Sequence, residues 1–219
     1  MSPLAALTRA YDRMPDAPPY GFSSEKIGFC VVLNADGSVA DVIDLRNSDK
    51  KRSPKMLLVP QGVKRTAGIA PNFMWDKSAY VLGVTAGEGK RTAEEHAKFR
   101  ASHAEWLAGT EDAGLLALLG FLESWTPEAF TAPLWPEDAR DQNIVFALAE
   151  EYRDRYLHDR PATRELWHRI GADSASDPQI CLVTGNAAPV ARLHPSIKGV
   201  WGAQSSGASL VSFNLDAFT

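Results

Sequence analysis

The stretch from His194 to Asn214 gathers side chains suited to holding a polar polymer: Gly199, Gly202 and Gly207, the cation Lys198, and the run Gln204-Ser205-Ser206. Glycines admit positive φ and bring bare backbone close to a ligand. An amide and two hydroxyls donate and accept hydrogen bonds without acting as strong acids or bases. Such an inventory grips better than it cleaves. Gly202 and Gly207 would let residues 204–206 protrude in a tight turn, with Val200 and Trp201 pinning its base. The plainer reading is a glycine turn leading into a strand over 208–213.

A second unusual tract, Ala70-Pro-Asn-Phe-Met-Trp-Asp-Lys-Ser-Ala-Tyr-Val-Leu-Gly83, combines an amide, two large aromatics and an acid within a few residues. Between the two tracts the charge is uneven. Residues 46–65 carry seven cations against Asp49 alone, whereas residues 111–154 carry ten acids against Arg140 and Arg153. The whole chain has a net charge of −4, so any polyanion site must be a local patch on an acidic body. Lys55, Lys64, Arg65 and Lys198 are the phosphate-contact candidates; the competing reading is a solvated basic loop. Lys51 and Arg52 belong to the same basic stretch.

Bond-breaking chemistry finds little support. The five histidines, at 96, 103, 158, 168 and 194, have no close Cys or His partner with metal-ligand spacing, so no zinc site is expected. Walker, G-x-S-x-G and H-E-x-x-H patterns are absent. No carboxylate pair reads as a metal-dependent nuclease. Gly87-Glu-Gly-Lys-Arg91 hints at a phosphate loop but lacks the full motif. No catalytic residue, cofactor or metal is therefore expected. The weakest alternative is a phosphate-processing enzyme using His194 and Asp76.

These residues must be positioned by a fold. At 219 residues, with 45% hydrophobic and 23% charged side chains, the chain can bury a core. It has no apolar run of membrane-spanning length and no secretory leader, so a cytoplasmic protein with reduced Cys30 and Cys181 is expected. Ser2, Pro3, Leu4, Leu7 and Tyr11 predict a first helix. Lys26–Leu33 predicts a buried strand, Asp36-Gly37 a hairpin, Ser38–Leu45 the return strand, and Met56–Val59 a third. Thr92 with Glu95 suggests a capping box, followed by Phe99, His103, Trp106 and Leu107 on one helical face. Thr110 is expected to cap a helix bearing Leu115, Leu118, Leu119, Leu122 and Trp125. Thr126-Pro-Glu opens a short third helix. Strands are expected at Asn143–Leu148, Pro178–Val183 and Ala208–Phe213, and a helix at Pro161–Ile170. The predicted class is α+β, with mixed or antiparallel strands flanking a central helical block.

Taken together, Pro19-Tyr-Gly-Phe22, Asn72-Phe-Met-Trp-Asp76, Tyr80-Val-Leu-Gly83, Cys181-Leu-Val-Thr-Gly185, Arg192-Leu-His194 and Val211-Ser-Phe-Asn214 give a sequence that resembles the large subunit of the type I-C CRISPR interference complex, Cascade. The resemblance runs along essentially the whole chain. It implies that residues 1–219 are the N-terminal PAM-recognition domain of a longer subunit. That domain would carry a helical insertion at about 92–131, with a C-terminal helical domain absent. It further implies double-stranded target DNA, guide RNA and other Cascade subunits as partners, no membrane, and no catalysis of its own. A phage-encoded anti-CRISPR protein is a further partner such a reader would invite, although no residue here points to one. Because guide pairing reads the long sequence, the protein need read only the short protospacer-adjacent motif. Short neutral side chains suit the minor groove, where A N3, T O2 and G N2–H are displayed. Asn72, Gln204, Ser205 and Ser206 are the expected readers, with Gln204 as a wedge. The plainer role for Asn72 is capping a turn after Pro71. The competing function is a subunit-docking module that does not read the motif itself.

Overall fold

Phe29-Cys-Val-Val-Leu33 places apolar side chains on both faces of a strand, which requires cover on both sides. The computed structural model supplies it. The structure describes residues 3–15, 17–48, 50–65, 68–173, 179–181, 185–188, 201–202 and 208. The first elements are α1 (Pro3–Asp12), β1 (Phe22–Ile27), β2 (Phe29–Leu33), β3 (Val39–Asp44), β4 (Lys55–Pro60), β5 (Asp76–Lys77) and α2 (Ser78–Val81). They are followed by α3 (Thr92–Trp106), α4 (Ala113–Ser124), β6 (Asn143–Leu148), α5 (Pro161–Asp173), β7 (Gln179–Ile180) and β8 (Ala187–Ala188). The α+β class and the helical block between strands are as expected from the sequence.

The chain divides into two units, Pro18–Ile170 and a second formed by Met1–Ala17 with Gly171–Thr219. In the larger unit a four-stranded sheet has the order β3-β2-β6-β5, with β2 and β6 parallel and the outer pairs antiparallel. Alternation then sorts the side chains. Phe29, Val31 and Leu33 of β2, with Ile144, Phe146 and Leu148 of β6, join one cluster with residues of α3 and α4 such as Phe99, Leu115, Leu118 and Phe121. Cys30 and Val32, with Val145 and Ala147, belong to a second cluster that includes Ile27, Val59 and Trp75. Each fully buried side chain of this size contributes about 1.5–3 kcal/mol relative to exposure.

The expected single strand Lys26–Leu33 is two strands. Gly28 separates them, and a Cβ there would lie 2.7 Å from the Gln142 Oε1. β1 turns aside to pair antiparallel with β4 as a separate two-stranded ribbon. The hairpin at Asp36-Gly37 forms as expected, with Gly37 at φ +85°. Its Cβ would sit 2.6 Å from the Gly120 and Phe121 backbone, because the hairpin presses on α4. We expect Gly37→Ala to destabilise the protein by about 2–3 kcal/mol, from left-handed strain plus overpacking. A urea titration gives the shift in midpoint; an unchanged midpoint would show that hairpin and helix do not touch.

Two expected helix caps are replaced. Arg91 occupies the N-cap of α3 without a side-chain cap, so Thr92 and Glu95 form no capping box. At α4 the cap is Asp112, which accepts from the Gly114 and Leu115 N–H groups, while Thr110 Oγ1 accepts from the Asp112 N–H. Asp112 is the stronger acceptor, and its charge also suits the positive end of the helix. The Thr126-Pro-Glu start yields one 3₁₀ turn, Pro127–Ala129.

In the smaller unit Leu7 and Tyr11 of α1 are exposed. The strand expected at 178–183 appears as Gln179–Ile180, paired antiparallel with Ala187–Ala188. The strand expected at 208–213 lies outside the described residues apart from Ala208. Cys30 is a buried thiol pushed up to about 12 by burial; Cys181, also outside any disulfide, is half-buried rather than a core side chain. Among the described residues, no helix is long and apolar enough to cross a membrane.

Candidate nucleic-acid interface

The tract Asn72–Asp76 enters the core, and its polar atoms turn to a neighbouring loop. Phe73 is 1% exposed; it stacks on Trp167 at 5.3 Å and meets Trp106 edge-on. Met74 takes φ +67°, and its N–H donates to His103 Nε2 at 3.0 Å. His103 in turn uses Nδ1 to reach the Phe99 carbonyl, which fixes the tautomer. Burial holds His103 down at about 4, so it is a neutral acceptor. Trp75 Nε1 donates to the Pro60 carbonyl at 2.7 Å, anchoring the loop where it leaves β4.

Asn72 and Asp76 hold the rest of that loop. The Val63 N–H donates to Asn72 Oδ1 at 2.9 Å, and the Asn72 N–H donates to Asp76 Oδ2 at 2.8 Å. Asp76 also accepts from the Lys77 N–H and forms an ion pair with Arg65. Arg65 Nε donates to the Ala70 carbonyl at 2.7 Å, and its guanidinium lies over the Tyr80 ring. Burial pushes the Asp76 carboxyl up; the Arg65 charge and the Asn72 N–H pull it back.

This geometry corrects the expectation for Asn72. Its side chain is 5% exposed and its oxygen is engaged by Val63, so it cannot reach a base edge while the loop stays closed. Its oxygen tethers the 61–65 loop from nine residues away, which is not the cap of a turn after Pro71. Arg65 is likewise no free phosphate contact, because Asp76 neutralises it. Lys64 and Lys55 are exposed, as phosphate contacts must be. Lys64 sits beside Val63 on the anchored loop, and Lys55 opens β4 on the ribbon. Gln204, Ser205, Ser206 and Lys198 lie outside the described residues, as does Val200. Trp201 is 100% exposed, so it pins no turn.

The basic character of 46–65 is smaller than its composition suggests. Arg46 pairs with Asp44 and Asp138, and Arg52 pairs with the same two carboxylates. Donation from Arg46 holds the Asp44 carboxyl below its ordinary range. Asp138 comes from the acidic stretch, 92 residues away from Arg46. The acids at 111–154 are therefore partly structural; Asp112 and Glu151 likewise hold Arg160.

Sequence reasoning took Lys90 and Arg91 only as part of a hinted phosphate loop and did not single out Lys77. With Arg65 they line a cleft of about 580 Å³ where α2, the loop after it and the start of α3 meet. The glycines and cations at 87–91 were the available signal. Among the described residues, no group of three or more His, Cys, Asp or Glu is placed to hold a metal ion. Asp76 is 1% exposed and salt-bridged, which leaves it poorly placed as a catalytic base.

A family model described as CRISPR-associated protein (Cas_Csd1) matches residues 7–219. No curated protein matches the chain.

Proposed function

Because the chain belongs to the CRISPR-associated Cas_Csd1 family, we propose that it is the target-recognition part of the type I-C Cascade large subunit. On this reading it works in the cytoplasm, alongside guide RNA and the other Cascade subunits, and has no catalytic activity. It binds double-stranded target DNA, reads the protospacer-adjacent motif and helps open the duplex. The observation that carries the reading is the anchored loop 61–65. Three neighbouring residues, Asn72, Trp75 and Asp76, spend buried polar atoms on this loop or its start. What they hold out to solvent is Val63 and Lys64, which are both exposed. A rigid loop bearing a cation and a small apolar side chain suits contact with a phosphate at a groove edge. Gln204, Ser205 and Ser206 stay proposed as the base-reading and wedge residues, backed by Lys198.

Lys64→Ala tests the phosphate contact. We expect weaker binding of the assembled complex to motif-bearing and scrambled duplexes alike, with a salt slope shallower by about 1. An unchanged slope in a fluorescence titration would remove Lys64 from the interface.

The burial of Asn72 and the internal neutralisation of Arg46, Arg52 and Arg65 favour a second reading, a subunit-docking module. Gln204→Ala separates the two. Loss of discrimination between the duplexes supports reading by this chain, and retained discrimination supports docking.

A further inference from the structure

The cleft beside α3 presents four cationic side chains, Arg65, Lys77, Lys90 and Arg91, against two acids, Glu95 and Asp141. Arg65 is already neutralised by Asp76. Lys77, Lys90 and Arg91 are exposed and form no salt bridge among the described residues. Asp141 is turned to the adjoining loop, where its carboxylate accepts from the Thr85 hydroxyl at 2.6 Å. Lys77, Lys90 and Arg91 outnumber Glu95 and Asp141 by one, so the concavity keeps a net positive charge that an anion would relieve.

The wall is built, not loose. Arg140 donates to the Thr85 carbonyl at 3.1 Å, fixing the base of the loop that carries Lys90 and Arg91. Gly89 takes φ +59°, and a Cβ there would fall 2.5 Å from Thr92 Oγ1. The loop is thus folded tightly onto the start of α3. The Thr92 N–H is taken by the Gly89 carbonyl and the first turn of α3 carries Glu94 and Glu95, so the positive field of the cleft comes from its cationic side chains.

We propose that this cleft binds consecutive phosphates of a single nucleic-acid strand. Its volume is that of a small-ligand site, and a flexible strand can fold more than one phosphate into such a concavity. A rigid duplex presents its phosphates on a convex surface. The Tyr80 ring is 4% exposed beneath Arg65, so it offers no open stacking platform and the contacts are to the backbone. Binding is then indifferent to base sequence, and also to sugar, since the shared chemistry is the phosphodiester. Lys64 adjoins the cleft's Arg65 in sequence but is not one of its lining residues.

The test is anisotropy of labelled oligothymidylate and oligouridylate, each of roughly ten nucleotides, with the purified 219-residue chain. We expect both to bind and inorganic pyrophosphate to displace them. The charge reversals Lys90→Glu with Arg91→Glu, and separately Lys77→Glu, should each weaken binding about tenfold or more. The salt slope should flatten by roughly 0.7 for each cation neutralised. All three residues are exposed, and circular dichroism checks the fold of each variant. Lys64→Ala should leave single-strand binding unchanged while it weakens duplex binding, so failure of one site is distinguishable from failure of the other. Wild-type chain that binds neither strand, or charge-reversed chain that binds as well as wild type, overturns the proposal.

Discussion

Asp76→Ala is expected to lower the unfolding free energy by about 3–5 kcal/mol, the range for breaking a buried ion pair by removing one partner. Asp76 is 1% exposed and accepts from the Asn72 and Lys77 N–H groups as well as from Arg65. Its loss leaves those two backbone donors without their acceptor and Arg65 without its counter-charge. An unsatisfied buried donor alone costs about 1–3 kcal/mol. The double replacement Arg65→Met with Asp76→Leu should recover only part of the loss. It removes the unpaired charge but leaves the Asn72 and Lys77 N–H groups unpaired. Chemical denaturation of the wild type and the two variants separates the terms. Full recovery in the double variant would mean that the ion pair, and not the loop anchoring, is all that Asp76 provides.

Acidification is the second large effect. His103 and His158 are both buried, and desolvation lowers each from its ordinary value of 6.5 to about 4. For His158, the neighbouring Asp159 opposes the shift without cancelling it. Between pH 6.5 and about 4 the unfolded chain takes up protons on both rings that the folded chain refuses. Stability therefore falls as pH drops through that window, by about 1.4 kcal/mol per pH unit for each histidine. His96, lowered by burial, adds to the trend, whereas Asp76, raised by burial, acts against it. Below about pH 4 the Asp44, Asp112 and Glu151 carboxylates, all held below their ordinary range, add a further loss. Unfolding free energies measured at intervals from pH 7 to 4.5 should show this slope. His103→Gln should remove about one proton from it, and a flat wild-type profile would contradict the burial of both rings.

Much of the frame was legible because it rests on local signals. The apolar run of β2, the Asp36-Gly37 turn and the Asn143–Leu148 strand follow from pattern and turn chemistry. Of the face predicted for α3, Phe99, His103 and the C-cap Leu107 are buried and Trp106 is half-buried. Where the reading failed, the missing information was nonlocal. Nothing near Arg46 or Arg52 in sequence reveals that Asp138 will neutralise both. Asp76 is closer to Arg65, but their pairing requires Asp76 to be buried beneath the loop. A polar Asn72 after Pro71 reads as exposed; it is buried because Phe73 and Met74 carry it inward. The helix caps failed for a smaller reason, since Thr92 and Thr110 are good caps in isolation and the chain enters each helix elsewhere. The convergence of Lys77 with Lys90 and Arg91 was hidden because they lie 13–14 residues apart and only the fold brings them to one cavity.

On the proposed function, the 72–76 tract holds a loop against the core, and the loop, not the tract, meets the duplex. A double-mutant cycle on Asn72→Ala and Lys64→Ala, read as duplex affinity of the assembled complex, measures this directly. If Asn72 acts only by placing Lys64, its removal weakens binding in the wild-type background and changes nothing further once Lys64 is gone. Additive losses, or loss of motif discrimination on Asn72→Ala alone, would instead place the Asn72 side chain on the DNA.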